Sequence, residues 1–322
     1  MLALIAIDPS VLLDENSLAI DGLSRLWLEQ RLCVLLDLVD ANKNSYFSEA
    51  IKALPDSPDK TKWIDIYQTA KKRNLIRQLP VTRALPNPWS DNVVDALISK
   101  TDVDVVILEQ DRHHQDPSQR VDVLSLGDIH NAKKIVASED LRLGSVHDAN
   151  SDLNQLWQEN FREELKYATN IHVVDRWIFS RYRLGRGGRG LTKFMELAKE
   201  WDTPKGKSTI LNIYAESVGN NRNEMVESNI RALETLSDLI EQTQVKPLPF
   251  KEINLHMIPK YFFNNVTGAR HIRFHDIFAA IPDHGMELFE LWRSVPLNFN
   301  KSLENFQAFE RRLAANASIA RL

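Results

Sequence analysis

At 322 residues the chain is too long for one ordinary core and suits two domains. Forty basic residues against forty-four acidic ones leave a net charge of -4, which argues against a general polyanion-coating protein but allows a local basic groove. Cys33 is the only cysteine, so no internal disulfide and no cysteine-based zinc site can form.

The first run, Leu2 to Ile7, is apolar and short, and Asp8-Pro9 bounds it, as expected of a buried strand. It lacks the basic lead-in of a secretory signal and meets Asp8 too early for one. No apolar stretch approaches the roughly 20 residues of a membrane helix, so a cytoplasmic protein with no membrane span is expected. Leu23, Leu26, Trp27, Val34, Leu35 and Leu38 recur at helical spacing and predict a helix over most of 22–40. Pro55 to Pro58 break the chain, and a basic helix is expected from Trp63 to Arg77. Pro80, Pro86 and Pro88 mark an irregular crossing before a helix over Asp91–Lys100 and a buried strand over Val103–Leu108. The polar stretch 111–122 reads as a loop, and the domain boundary falls near 140–150. His113, His114 and Asp116 sit in that loop, where a surface role outweighs a metal site because adjacent histidines point different ways.

The second half repeats the strand and helix order. A helix over Leu153–Lys166 leads to a strand at 170–175, and Leu191, Phe194, Leu197 and Trp201 form an amphipathic helix before a strand over Thr209–Tyr214. A long helix stripe runs through Val226, Ile230, Leu233, Leu236 and Ile240. Strands over Glu252–Ile258 and Ala269–Phe274 follow, then a terminal helix from about Ser302. The fold class is therefore α/β in both halves, divided as 1–145 and 146–322.

One stretch stands out. The alternating run Asn170 to Asp175 ends on Asp175-Arg176-Trp177, and Arg181, Arg183, Arg186 and Arg189 then share a glycine-bearing loop. Arginine offers fixed donors to phosphate oxygens, and glycine lets a backbone approach a ligand, so the loop is a candidate anion site at a helix start. A solvated connection with an Asp175–Arg176 ion pair is the competing reading.

The order of these elements resembles the phospholipase D-like carboxy-terminal domain of MIT-domain proteins over roughly 150–295. Phe161-Arg162-Glu163-Glu164-Leu165, Ile171 to Trp177, Gly190 to Phe194, Ile210 to Tyr214, Ala269 to Phe274 and Gly285 to Phe289 carry the likeness. Active enzymes of the phospholipase D type use His-x-Lys followed by an aspartate, with the imidazole attacking phosphorus and the cation holding its oxygens. Here His271-Ile272-Arg273 has arginine for lysine and Phe278 where the acid belongs, and His256 lacks the cation. The resemblance thus implies a binding domain, in which Arg176, Arg181, Arg183, Arg186, Arg189, Arg270 and Arg273 would grip phosphate without cutting it. His271 and His275 read as ordinary hydrogen-bonded residues.

The opening run Ala3 to Leu13, with Asp8 and Ser10, resembles the first strand of PIN-like nucleases, over about 1–125. That resemblance implies carboxylates gathered at strand ends around Mg²⁺ or Mn²⁺. Asp8 matches the family's first acid, Glu49 the second, Asp91 or Asp95 the third and Asp111 the fourth; Arg112-His113-His114 replaces the aromatic that follows.

Three functions follow. The first is a metal-dependent nuclease acting on RNA or DNA, which by analogy would suit a bacterial defence or toxin role. The second is a non-catalytic protein whose arginine loop binds nucleic acid, a phosphorylated lipid or a partner. The third is an assembly factor whose terminal helix, with Leu303, Phe306, Phe309 and Leu313, docks on another copy or subunit.

Overall fold

The computed structural model describes residues 2–13, 17–30, 32–81, 89, 91–109, 116, 119–142, 145–146, 154, 157–158, 161–179, 187–200, 209–219, 221–242, 248–263, 270–275, 278–282, 285–289, 296–300 and 303–321. The chain divides into two compact units, Met1–Asp140 and Leu141–Leu322. Both are α/β.

The first unit is built on continuous apolar runs. Ala3–Ile7 (β1) and Cys33–Val39 (β2) are buried along their whole length, as strands of a parallel sheet covered on both faces must be. With Ile76–Pro80 (β3), Val105–Ile107 (β4) and Asp122–Leu124 (β5) they form an all-parallel sheet in the order β3-β2-β1-β4-β5. In β1, Ile5 sits between Leu35 and Val105, so β1 is the central strand. The helices are Ser17–Ser24 (α1), Tyr46–Ala53 (α2), Pro58–Lys72 (α3), Asp91–Lys100 (α4) and Lys133–Arg142 (α5). Ser45 and Ser57 start α2 and α3 by accepting the amides of Ser48 and Lys60, and Pro58 supplies a preset φ at the first position of α3.

Two expectations are corrected here. The helix predicted over 22–40 is α1, a π turn at Arg25–Glu29, and then β2. A dense apolar run such as Val34-Leu35-Leu36 satisfies helical spacing and a buried strand alike, and pairing on both flanks makes it a strand. The helix predicted to reach Arg77 stops at Lys72, where Asn74 turns the chain through a left-handed conformation (φ 56) into β3.

The second unit holds an eight-stranded mixed sheet. Asn170–Asp175 (β7), Ile210–Ser217 (β8) and Glu252–Pro259 (β9) run parallel. Arg270–Phe274 (β10), Phe278–Pro282 (β11), Pro296–Asn300 (β12) and Ser145–Val146 (β6) extend one side by antiparallel pairing, and Ser318–Arg321 (β13) pairs antiparallel with β9 on the other. The order is β13-β9-β8-β7-β10-β11-β12-β6. Helices Arg162–Tyr167 (α6), Gly187–Glu200 (α7), Arg222–Gln242 (α8) and Glu304–Ala314 (α9) complete it.

The two faces of this sheet differ. On one, Val173, Ile213, Leu255 and Ile272 are buried, and Phe274 meets Phe161 in a cluster with Trp157, Phe194 and Phe289. The ring centroids there lie 5.3 to 6.1 Å apart, each pair adding about 0.5–1.5 kcal/mol beyond its buried area. On the other face the register aligns Arg273, His172, Asn212 and Asn254 in one row and His271, Val174, Tyr214 and His256 in the next. The apolar stripe of α9 roofs that polar face, with Phe309 and Leu313 packed among Val174, Tyr214, Ile258 and Phe263. Among the described residues no helix is long and apolar enough to cross a membrane.

Candidate functional site

In an open parallel sheet, ligands bind outside the carboxyl ends of the strands, where the connections leave in opposite directions. In the first unit that point lies between β1 and β4, because the chain leaves β1 toward β2 and leaves β4 toward β5. Asp8 is the first residue past β1, and its amide donates to the carbonyl of Ile107 at the end of β4 (2.9 Å). Its side chain is buried, and Oδ1 accepts the amide of Ser10 at 2.9 Å and the Ser10 hydroxyl at 2.7 Å. Those two bonds fix the orientation of the carboxylate at the switch point.

The other predicted acids stand apart from it in different ways. Glu49 lies on α2, and its carboxylate accepts from the Lys52 ammonium at 2.7 Å, with both side chains more than half exposed. Asp95 is exposed on α4, where it lines a surface groove with Ile98, Thr101, Asp116 and Arg120. Asp91 opens α4, but its side chain lies outside the described residues, as does all of Asp111. Among the described residues no three His, Cys, Asp or Glu side chains are grouped so as to hold a metal ion. Asp8 is thus the predicted acid that the described fold delivers to the switch point.

A second acid in this unit went unnoticed in the sequence. Asp37, inside β2, is almost fully buried and accepts from the Ser45 hydroxyl (2.7 Å) and the Tyr67 hydroxyl (2.9 Å). Burial raises its pKa above the ordinary aspartate value and outweighs the lowering by Ser45, Tyr67 and Lys71. Tyr67 is pushed up to about 12, chiefly by burial and then by the charge of Asp37. A lone polar residue in an otherwise apolar run was the available signal.

In the second unit the polar sheet face converges on Glu310 of α9. His271 Nε2 lies 2.8 Å from Glu310 Oε1, and Arg273 Nε donates to both carboxylate oxygens at 2.9 and 3.0 Å. His172 Nδ1 is 3.3 Å from Oε2 and 3.2 Å from the Tyr214 hydroxyl, and the Tyr214 ring stacks on His256 at 4.4 Å. Burial opposes the charge of Glu310, but hydrogen bonds from His271 and Arg273 prevail and draw its pKa down to about 2. Burial lowers both His172 and His256 to about 4, so both imidazoles are neutral at pH 7. Among the described residues His256 Nδ1 and Asn254 Oδ1 have no hydrogen-bond partner. The phospholipase D comparison looked for an acid close after His271-Ile272-Arg273, whereas the acid facing this pair arrives from the terminal helix. Its signal was a glutamate on the helix face that also carries Phe306 and Leu313.

The predicted phosphate grip divides. Arg176 pairs with Glu216, Arg270 lies 3.9 Å from Asp175 and stacks over Trp177 at 4.5 Å, and Arg273 is held by Glu310. Asp175 also accepts the amides of Trp177 (3.1 Å) and Met286 (3.0 Å), tying β7 to the turn at Gly285. These three arginines are internal braces, and the Asp175–Arg176 pair considered from the sequence is replaced by Asp175–Arg270 and Arg176–Glu216. Arg189 is exposed on the first turn of α7, and Arg181, Arg183 and Arg186 lie outside the described residues.

No protein-family model matches the chain, and no curated protein matches it either.

Proposed function

We propose that the amino-terminal unit is a metal-dependent nuclease that hydrolyses phosphodiester bonds of RNA or DNA at the carboxyl edge of its parallel sheet. The observation that carries this reading is the position of Asp8: buried, oriented by Ser10, and placed past the central strand where the connections of β1 and β4 part. A carboxylate there is a fitting ligand for a hard cation, and Asp91 and Asp111, the further acids that the family resemblance offers, come after β3 and β4 in chain order. When bound, Mg²⁺ or Mn²⁺ supplies water activation and neutralises charge on the phosphate. Asp8 would hold the ion at that edge, and the two Ser10 bonds to its Oδ1 stop the carboxylate from rotating. The Glu49 carboxylate takes a lesser part, because its partner Lys52 holds it at the surface.

Incubation of the whole chain with labelled single- and double-stranded RNA and DNA, with Mg²⁺, Mn²⁺ or chelator, tests the reading. Wild type is expected to cut at least one substrate only with metal, and Asp8→Asn to abolish the cut with an unchanged Tm. Asp91→Asn and Asp111→Asn should each cost more than Glu49→Gln. Absence of metal-dependent cleavage from wild type, or full activity in Asp8→Asn, ends the proposal.

A non-catalytic phosphate-binding role draws its support from the arginine-rich sequence of 181–189; Arg176, Arg270 and Arg273 serve as braces within the unit. In that case Arg183→Ala with Arg186→Ala weakens binding of nucleic acid and flattens its salt dependence, with no effect of metal.

A further inference from the structure

The second unit carries a groove of about 820 Å³ between one side of α8 and the carboxyl ends of β8 and β9, which the nuclease reading does not use. Its floor is apolar: Phe179, Val218, Ala232 and Met257. Its rim is acidic: Glu224, Glu227, Glu234 and Asp238 line it, with Glu216, the partner of Arg176, deeper in, and Arg231 is the cation among the described lining residues.

The acids follow a rule. Glu224, Glu227, Glu234 and Asp238 recur at spacings of three, four or seven along α8, so they form one stripe, about 21 Å long at 1.5 Å per residue. Like charges on successive turns repel one another and destabilise a helix slightly, and Arg231 relieves this at Glu227, with which it pairs. A stripe that disfavours its own helix is compensated when cations lie against it. Val218 and, beside the groove on α8, Val226 and Ile230 are more than half exposed, so apolar surface accompanies the charge.

We infer that this groove is a docking site for a basic amphipathic helix of a partner protein, with Lys or Arg at helical spacing along one side and apolar residues beside them. Charge complementarity selects the sign, since the rim repels nucleic acid and acidic segments. The helical spacing of the rim selects the form. Cations one turn apart on a helix meet acids one turn apart on α8, and among the described residues no strand edge lines the groove to pair with an extended peptide.

The test uses the whole chain and a fluorescent peptide of leucine and lysine in helical periodicity, read by anisotropy. Binding should be saturable and fall as salt rises, and an otherwise identical leucine–glutamate peptide should not bind. Glu227→Lys with Glu234→Lys is expected to weaken binding about ten-fold or more, and Arg231→Glu to strengthen it. Asp56→Lys with Glu304→Lys makes the same change in net charge at residues that do not line the groove and should leave affinity unchanged. Equal loss in both double variants would mean diffuse attraction and overturn the docking site, as would no binding by wild type. A dimer in light scattering that dissociates in Glu227→Lys would assign the groove to a second copy and overturn the partner assignment. Unchanged circular dichroism of the variants secures the comparison.

Discussion

The two sheets place their charged groups in opposite ways. In the first unit the two central strands are apolar apart from Asp37, and Asp8 stands at a strand end. In the second unit imidazole, guanidinium, amide and phenol groups sit in mid-strand, under a helix that brings its own carboxylate. A polar group at a strand end can meet a ligand without disturbing the core. One in mid-strand must be satisfied by the fold itself, because an unpaired buried charge costs several kcal/mol. The first arrangement leaves an edge for chemistry, and the second makes a brace.

The largest expected effect bears on the brace. Glu310→Ala strands Arg273 and His271 without their acceptor, and removing one partner of a buried pair costs about 3–5 kcal/mol. Urea unfolding of the whole chain should show the second unit losing that stability while the first is unmoved. A loss under about 1 kcal/mol would mean the cluster is hydrated and open, on the scale of surface pairs, and the contrast between the units would fail.

Acid should separate the units next. His172 and His256 have folded pKa values of about 4 against 6.5 unfolded, so the unfolded chain binds more protons between those values. Their contribution is complete above pH 6.5 and is lost as pH falls from 6.5 toward 4. Glu310, at about 2 against 4.5, adds a loss from pH 4.5 downward. In the first unit Asp37 acts with the opposite sign: its raised pKa favours the folded state below pH 3.8, and that advantage is lost as pH rises through the folded value. Thermal unfolding from pH 7 to pH 4 should therefore lower the second transition before the first.

A smaller effect is expected at Gly285. Its φ of +65 suits glycine, and an added Cβ would lie 2.8 Å from the Asp175 Cγ. Gly285→Ala should cost about 1–3 kcal/mol and loosen the Asp175–Arg270 contact, read as a lower Tm of the second unit. The smallest effect is Asp37→Asn at pH 7. Removing a buried charge offsets the loss of a charged acceptor for Ser45 and Tyr67, so stability should move by no more than about 1 kcal/mol. A large loss would show that Asp37 is held as an anion by more than these two hydroxyls.

Much of this was readable from the residues. α4, β7 and the long α8 show in the sequence because each carries one clear period, and β1 shows because Asp8-Pro9 closes a short apolar run. The helix predicted over 22–40 failed because a run buried on both faces has no polar side to reveal its period. The short β5, β6, β11 and β13 were missed because two to five residues cannot display one. For the site, Asp8 was legible from its place after an apolar run. The capture of Arg273 by Glu310 was not, because the two are 37 residues apart in sequence and only folding brings them together.

That separation has a consequence for the order in which the polypeptide is made. Strand β10 leaves the ribosome with Arg273 and His271 turned to the polar face of its sheet, and Glu310, the carboxylate both meet there, follows 37 residues after Arg273. The edge strand β13 comes later still. The second unit can close its polar face only after residue 310 has been made, whereas every described strand of the first sheet has been synthesised by residue 124. Closure of that face is thus timed by a single glutamate.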